Sequence, residues 1–327
     1  MQLNWSRFVE LVASAQRWLL TSHLRPDCDA LGSELGMCLI LEALGKQVQI
    51  VNPQRTPPNL QFIDPQRRIK ALHEDVLPEA LTECEALLVL DTSAWAQLGG
   101  MADVLRGFRG RKLVLDHHVS EDDLGAEMFK DVHAEATGRL VVEAADHLGV
   151  PLTAEMARPL FAALATDTGW YRFSSTTGLT YRTAARLVEA GVVPAELYNA
   201  LYEQDSLARL RLIGRALERA RTELDGRLIH TAILREDFSA TGALPSDTED
   251  IINLTLAVAG TRVAMMLVEQ AAGGCKLSLR SRCELDCSRV AEQFGGGGHK
   301  AAAGAMLPEP LEAARQRVLD ALRGEMG

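Results

Sequence analysis

The segment His23-Leu24-Arg25-Pro26-Asp27-Cys28-Asp29 places one imidazole and two carboxylates within seven residues. These are borderline-to-hard donors, which suit Mn2+, Mg2+ or Co2+ better than a thiolate-seeking ion. Asp27 and Asp29 are two residues apart, so in an extended turn both can face one point. A helix N-cap explains one of them, but not both together with His23. Asp91 closes the apolar run Ala86–Leu90, where capping is again the bland alternative. Asp116-His117-His118 closes a second run, and a chance triplet of this kind is roughly a one-in-a-hundred event at this composition. Asp167 lies within Thr166-Asp167-Thr168-Gly169. Asp27, Asp29, Asp91 and Asp167 would gather four negative charges, which repel one another unless cations sit among them. Two divalent ions match that charge, with neutral His23 and His117 completing the donors. Such a pair, roughly 3.5–4 Å apart, clamps a phosphate and activates a water.

The elements that must position these residues alternate in type. Arg17–His23, Val48–Val51, Ala86–Leu90 and Lys112–Leu115 read as strands. Ala30–Leu44 has the spacing of a buried helix. Strands alternating with helices predict an α/β fold with a mostly parallel, doubly wound sheet. In such folds the site lies beyond the carboxyl ends of the strands, where these His and Asp residues stand. Helices are expected over 154–165, 180–190 and 207–224. A smaller C-terminal α/β domain is expected from a helix over 247–259 and strands over 263–269 and 276–280. This divides the chain into a catalytic metal-binding domain (1–195), a helical connector (196–224) and a substrate-binding domain (225–327).

Composition narrows the class. The 327 residues are 47% hydrophobic, which is too apolar for a disordered chain. No apolar run reaches the roughly 18–20 residues of a membrane span, and the first ten residues lack a signal-peptide pattern. The six cysteines show no framework spacing, so they read as reduced thiols of a cytoplasmic protein. The net charge of −10 argues against gripping a long nucleic acid through the protein's own surface. If the substrate is a phosphate compound, metal ions must offset the field locally.

In order along the chain, His-x-x-Pro-Asp-x-Asp-Ala-x-Gly-Ser, a strand-end Asp, Asp-His-His and Asp-Thr-Gly resemble the four motifs of the DHH phosphoesterases. Gly295-Gly296-Gly297-Gly298-His299-Lys300-Ala301-Ala302-Ala303-Gly304 resembles the signature of the DHHA1 substrate domain, and Lys276–Ser281 resembles the strand before it. Within the family, Asp167-Thr168-Gly169-Trp170-Tyr171-Arg172-Phe173 looks most like the bifunctional oligoribonucleases that also dephosphorylate 3′-phosphoadenosine 5′-phosphate (pAp). The resemblance implies that His23, Asp27 and Asp91 hold one metal ion. It implies that Asp29, Asp91, His117 and Asp167 hold the second, with Asp91 bridging. The ions implied are Mn2+, with Mg2+ or Co2+ as alternatives. Asp116 would orient a histidine, and His118 would contact the scissile phosphate or protonate the leaving oxygen. Ser278, Arg280, His299 and the glycines Gly296, Gly297 and Gly298 would bind the rest of the substrate. The partners implied are short oligonucleotides, chiefly RNA with DNA as an alternative, and pAp, with a homodimer as the assembly.

Other readings on the same motifs are a single-strand exonuclease, a cyclic or linear dinucleotide phosphodiesterase, a pyrophosphate or polyphosphate hydrolase, and a non-catalytic nucleotide sensor. The absence of repeated basic and aromatic residues disfavours long strands, and intact donors disfavour the sensor. Arg139 is expected to be an ordinary helix residue rather than a phosphate ligand. Cys28 reads equally as an oxidation point or an inert buried thiol. Trp170, Tyr171 and Phe173 read as core packing, with base stacking as the alternative.

Overall fold

A computed structural model describes residues 3–327. The chain divides into two compact units, 1–203 and 204–327.

In the first unit the elements are α1 (Trp5–Ala13), β1 (Arg17–Thr21), α2 (Cys28–Ala43), β2 (Gln47–Asn52), β3 (Ile69–Ala71) and β4 (Ala86–Leu90). They continue with α3 (Met101–Gly107), β5 (Arg111–Asp116), β6 (Glu127–Lys130), α4 (Thr137–His147), α5 (Ala154–Asp167), α6 (Gly178–Glu189) and α7 (Pro194–Tyr202). The six strands form one parallel sheet in the order β3-β2-β1-β4-β5-β6. The chain winds outward through β2 and β3, returns, and winds the other way through β5 and β6. The switch point therefore lies between β1 and β4, where α/β folds open a crevice. β4 is buried at every position, and its continuous apolar run is what a strand covered on both faces requires. Leu20, Leu88, Leu90, Leu113 and Leu115 face the cluster built with α2, α4 and α5, whereas Leu19, Leu87, Val89 and Val114 face α3. α2 and α5 approach closely because Gly32 and Gly36 have no side chain. A Cβ on Gly32 would lie 2.3 Å from the Pro159 carbonyl oxygen.

The second unit contains α8 (Leu207–Glu218), β7 (Arg221–Glu223), β8 (Leu228–Ile233), α9 (Arg235–Thr241), α10 (Ile251–Thr255), β9 (Val263–Glu269), β10 (Cys275–Ser281), α11 (Cys287–Glu292), β11 (Gly297–His299), β12 (Ala302–Leu307) and α12 (Leu311–Met326). Its sheet runs β11-β12-β10-β9-β8-β7, with only β8 and β9 parallel. The α/β class expected from the sequence is therefore present in both units.

Two helix expectations are corrected. The helix expected over 207–224 ends at Glu218, because Arg221–Glu223 pairs antiparallel with β8. The division into units falls after Glu203, with α7 before it and α8 after it. The helix expected over 247–259 is reduced to Ile251–Thr255, since Asp250 adopts a left-handed conformation (φ +62°) that stops a helix from passing through it.

Candidate metal centre and substrate face

Three adjacent strands of the first unit, β1, β4 and β5, end beside one another and deliver His23, Asp91 and Asp116-His117-His118. His23 Nδ1 lies 2.8 Å from the Leu24 carbonyl. A carbonyl only accepts, so Nδ1 carries a proton, and Nε2, 3.4 Å from Asp91 Oδ2, is the nitrogen left to ligate a metal once its own proton is released. His117 repeats the device. Its Nδ1 donates to the Ala134 carbonyl at 3.0 Å, leaving Nε2 3.4 Å from Asp91, 3.4 Å from Asp167 and 3.7 Å from Asp29. Backbone-anchored imidazoles with the far nitrogen turned toward the carboxylates are the usual form of a histidine metal ligand.

Asp27 caps α2 by accepting from the backbone of Asp29 and Ala30 at 2.9 and 3.1 Å. Capping and ligation are thus compatible at this residue. Asp29 is buried, and its carboxylate receives the first amides of α4, Thr137 N at 2.7 Å and Gly138 N at 2.8 Å. A helix N-terminus stabilises a carboxylate in this position. Gly138 has no Cβ because one would sit 2.6 Å from the Ala163 Cβ and 3.3 Å from Asp29 Oδ1. Asp91 has φ +63° and accepts from the Thr137 hydroxyl at 2.8 Å. A left-handed aspartate is sterically strained, and strain of this kind concentrates at functional sites.

Donor atoms of His23, Asp27 and Asp91 lie within 4.8 Å of one another, as do those of Asp29, His117 and Asp167 and those of Asp91, His117 and His118. The sets meet around Asp91 and His117. The donor set is carboxylate and imidazole without thiolate, the composition that fits Mn2+, Mg2+ or Co2+.

The charges are in tension. Burial, then the charges of Asp91 and Asp167, pushes the Asp29 carboxyl well above its ordinary range. Burial also lifts Asp167 to about 6, against the opposing pull of His117. Asp91 is held below its ordinary value because its bonds to His117 and His23 outweigh burial. Burial opposes charge on the two imidazoles, yet the carboxylates prevail. His23 rises to about 9 and His117 to about 10. The cluster therefore balances itself with protons, a role divalent cations can take over.

His118 differs from His117. Its Nδ1 is 2.8 Å from Asp116 Oδ1, and its side chain is 48% exposed. Asp116 is buried and accepts from the Ser93 hydroxyl at 2.7 Å, while Lys130 Nζ bonds Ser93 at 2.7 Å and lies 3.5 Å from the carboxylate. The Asp116 bond raises the His118 pKa. Thr137, Gly138, Ser93 and Lys130 support the centre without having been singled out in the sequence. They are common residue types, and only the fold brings them close.

Arg139 turns away from the centre. It is buried and pairs with Glu135 at 2.8 Å, Asp131 at 3.1 Å and Glu143. Cys28 is buried, which pushes its thiol up to about 12 and makes it inert as a nucleophile. Trp170 and Tyr171 pack against the core, but Phe173 is exposed.

In the second unit, Arg280 pairs with Ala302, and Ala302 with His299. Ser278 pairs with Gly304, and Gly304 with Gly297. Paired residues share a face, so Ser278, Arg280 and His299 stand on one side of the sheet with only small residues between them. Ser278 and Arg280 line a cavity of about 220 Å³ with Lys276 and Asp250. Gly296 and Gly298 have a packing reason of their own. A Cβ would meet the Gly304 carbonyl oxygen at 2.1 Å from Gly296, and the Ala302 carbonyl oxygen at 2.6 Å from Gly298. Gly297 meets no such obstacle.

Residues 17–164 match the family model described as DHH family, N-terminal domain, and residues 238–327 match the DHHA1 domain. The chain is 34% identical to the bifunctional oligoribonuclease and PAP phosphatase NrnA of Thermus thermophilus, over 94% of this chain and 89% of that protein. It is 26% identical to the protein of the same description from Bacillus subtilis, over 88% of each. Among solved structures, an exopolyphosphatase-related protein from Bacteroides fragilis superposes with a TM-score of 0.87 at 25% identity, covering 98% of this chain and 95% of that one.

Proposed function

Since the chain belongs to the DHH phosphoesterase family, with a C-terminal DHHA1 domain, we propose that it is a metal-dependent hydrolase that degrades short oligoribonucleotides to mononucleotides and removes the 3′-phosphate of pAp. The observation that carries the reading is the convergence of the carboxylate and imidazole sets on Asp91 and His117. Likeness to the Thermus and Bacillus enzymes supports the substrate pair. We propose that His23, Asp27 and Asp91 hold one Mn2+, and that Asp29, Asp91, His117 and Asp167 hold another. When bound, the two ions supply Lewis-acid stabilisation of the phosphate and lower the pKa of water.

The chain's own residues do the rest. His23 and His117 offer Nε2 because their Nδ1 protons are committed to backbone carbonyls. The α4 amides hold Asp29 in place. His118, half exposed and steadied at Nδ1 by Asp116, keeps Nε2 to donate a proton to the departing oxygen. We assign Arg280, Ser278 and His299, with Gly296–Gly298, to binding the remainder of the substrate. We also place the enzyme in the cytoplasm, which the six unpaired cysteines support. Among the described residues no helix is long and apolar enough to cross a membrane.

The test is a parallel assay with Mn2+ on pAp, a 5′-labelled RNA dinucleotide, a long DNA single strand and pyrophosphate, each with an EDTA control. Phosphate from pAp and mononucleotides from the dimer, both abolished by EDTA, are expected. Activity confined to the long strand or to pyrophosphate overturns the substrate assignment.

A further inference from the structure

Three consecutive residues just beyond Asp167 have left-handed backbone: Gly169 (φ +57°), Trp170 (φ +58°) and Tyr171 (φ +64°). Glycine adopts this freely, but aromatic side chains do not. Such outliers persist only where their surroundings over-determine them. Here the turn is pinned by Trp170 N to the Ala165 carbonyl at 2.6 Å, Tyr171 N to the Thr168 hydroxyl at 3.1 Å and Arg172 N to the Thr168 carbonyl at 3.0 Å.

The strained turn sets Trp170 against two tyrosines of α7. Its ring meets Tyr198 at 5.0 Å and Tyr202 at 5.8 Å, both edge-on, and the two tyrosines lie 5.1 Å apart. Core packing does not account for the tyrosines, since Tyr198 is 40% and Tyr202 46% exposed. Only 5% of the chain is aromatic, so three such rings gathered behind a metal-donor turn are a concentrated investment of scarce residues. The turn leaves the end of α5 directly after the candidate donor Asp167, so Trp170, with Tyr202 against it, and Arg172 stand three to five residues beyond that carboxylate. Arg172 spends its Nε on the Gly169 carbonyl at 2.7 Å, and its two terminal nitrogens have no partner among the described residues.

We propose that Tyr202 and Tyr198, backed by Trp170, form a stacking wall for a nucleobase next to the scissile phosphate, with the terminal nitrogens of Arg172 donating to phosphate oxygens of the same nucleotide. This names a recognition element for the substrates proposed above and rests on that reading. Aromatic faces accept any base, so the wall favours a nucleotide over a bare sugar phosphate without choosing among bases.

The experiment compares kcat/KM for an RNA dinucleotide with two analogues, each carrying an abasic ribose at one end, using the full chain with Mn2+. The wild-type protein is expected to prefer the intact dimer over one of the analogues by roughly tenfold, the scale of one base–aromatic stack. Tyr202→Ala is expected to bring that ratio close to one. Tyr202→Leu keeps the apolar contact with Trp170 and guards against a merely unfolded variant, and it is expected to lose the preference as well. Tyr202→Trp is expected to keep it. A wild-type ratio near one for both analogues, or a ratio unchanged in Tyr202→Leu, overturns the stacking wall while leaving the hydrolase reading intact. Failure of the wild-type protein to cleave the intact dimer overturns the hydrolase reading, and the wall with it.

Discussion

His118 Nδ1 lies 2.8 Å from Asp116 Oδ1, and the same carboxylate is anchored on its other oxygen by the Ser93 hydroxyl at 2.7 Å. Asp116 therefore fixes both the tautomer and the direction of the most solvent-accessible histidine at the centre. Removing such an orienting partner typically costs 10- to 100-fold in activity. Asp116→Asn should lower kcat by roughly that factor and leave KM within about twofold. Steady-state kinetics on pAp check this, and a pure KM effect contradicts the orienting role.

Asp91 stands where the donor sets meet. Asp91→Asn keeps the shape and removes the charge shared by His23 and His117. Turnover should fall by at least about a thousandfold, because both proposed ions lose a ligand at once. The variant's metal content, read by mass spectrometry after desalting, should drop in parallel. Full metal content with lost activity would confine Asp91 to a different role.

Metal uptake should be strongly coupled to protons. His23 and His117 titrate at about 9 and about 10 in the metal-free protein, so both are protonated at neutral pH. Ligands bind as neutral imidazoles, and each must release its proton. Mn2+ binding at pH 7.5 should therefore release protons, from both imidazoles and from the raised Asp29 carboxyl, and affinity should fall as pH is lowered. Calorimetry in two buffers of different ionisation enthalpy measures the number. A binding enthalpy independent of buffer contradicts the picture.

Glu34 gives the metal-free protein a stability that depends on pH. It is fully buried on α2, with one oxygen bonded by Asn52 Nδ2 at 2.8 Å and the other without a partner. Burial pushes its carboxyl from 4.5 up to about 8. Between those values the folded chain holds a proton that the unfolded chain has lost. This contribution is therefore largest below about pH 4.5 and declines as pH rises toward 8. Glu34→Gln imitates the protonated form and should remove the decline, leaving the variant more stable than wild type at pH 9 by on the order of 5 kcal/mol. Urea melts at pH 6 and pH 9 test this, and parallel pH profiles for the two proteins count against it.

His299 is assigned to binding rather than chemistry. His299→Ala should raise KM roughly tenfold with kcat little changed, as loss of one charge-assisted hydrogen bond predicts. An equal fall in kcat with unchanged KM contradicts the assignment.

Much of the first unit was legible because three of its strands, β1, β4 and β5, are apolar runs that lead into His or Asp. Ala86–Leu90 followed by Asp91 is the clearest case. The strands Ile69–Ala71 and Glu127–Lys130 were not, since they are short outer strands defined by pairing with β2 and β5 rather than by their own pattern. The candidate donors could be named because their types and spacing are rare. Their supports could not. Thr137 and Gly138 reach Asp29 from more than a hundred positions away, a contact that no local periodicity encodes. The αL turn at Trp170 and Tyr171 was hidden for the opposite reason, because the sequence places aromatics where steric rules disfavour them.

The most direct test of the central claim is turnover of an RNA dinucleotide by metal-stripped protein as Mn2+ is added in equivalents. The account predicts no activity at zero metal, a rise to a plateau at two ions per chain, and complete loss on adding EDTA. Full turnover in EDTA, or a plateau at one ion, would contradict it.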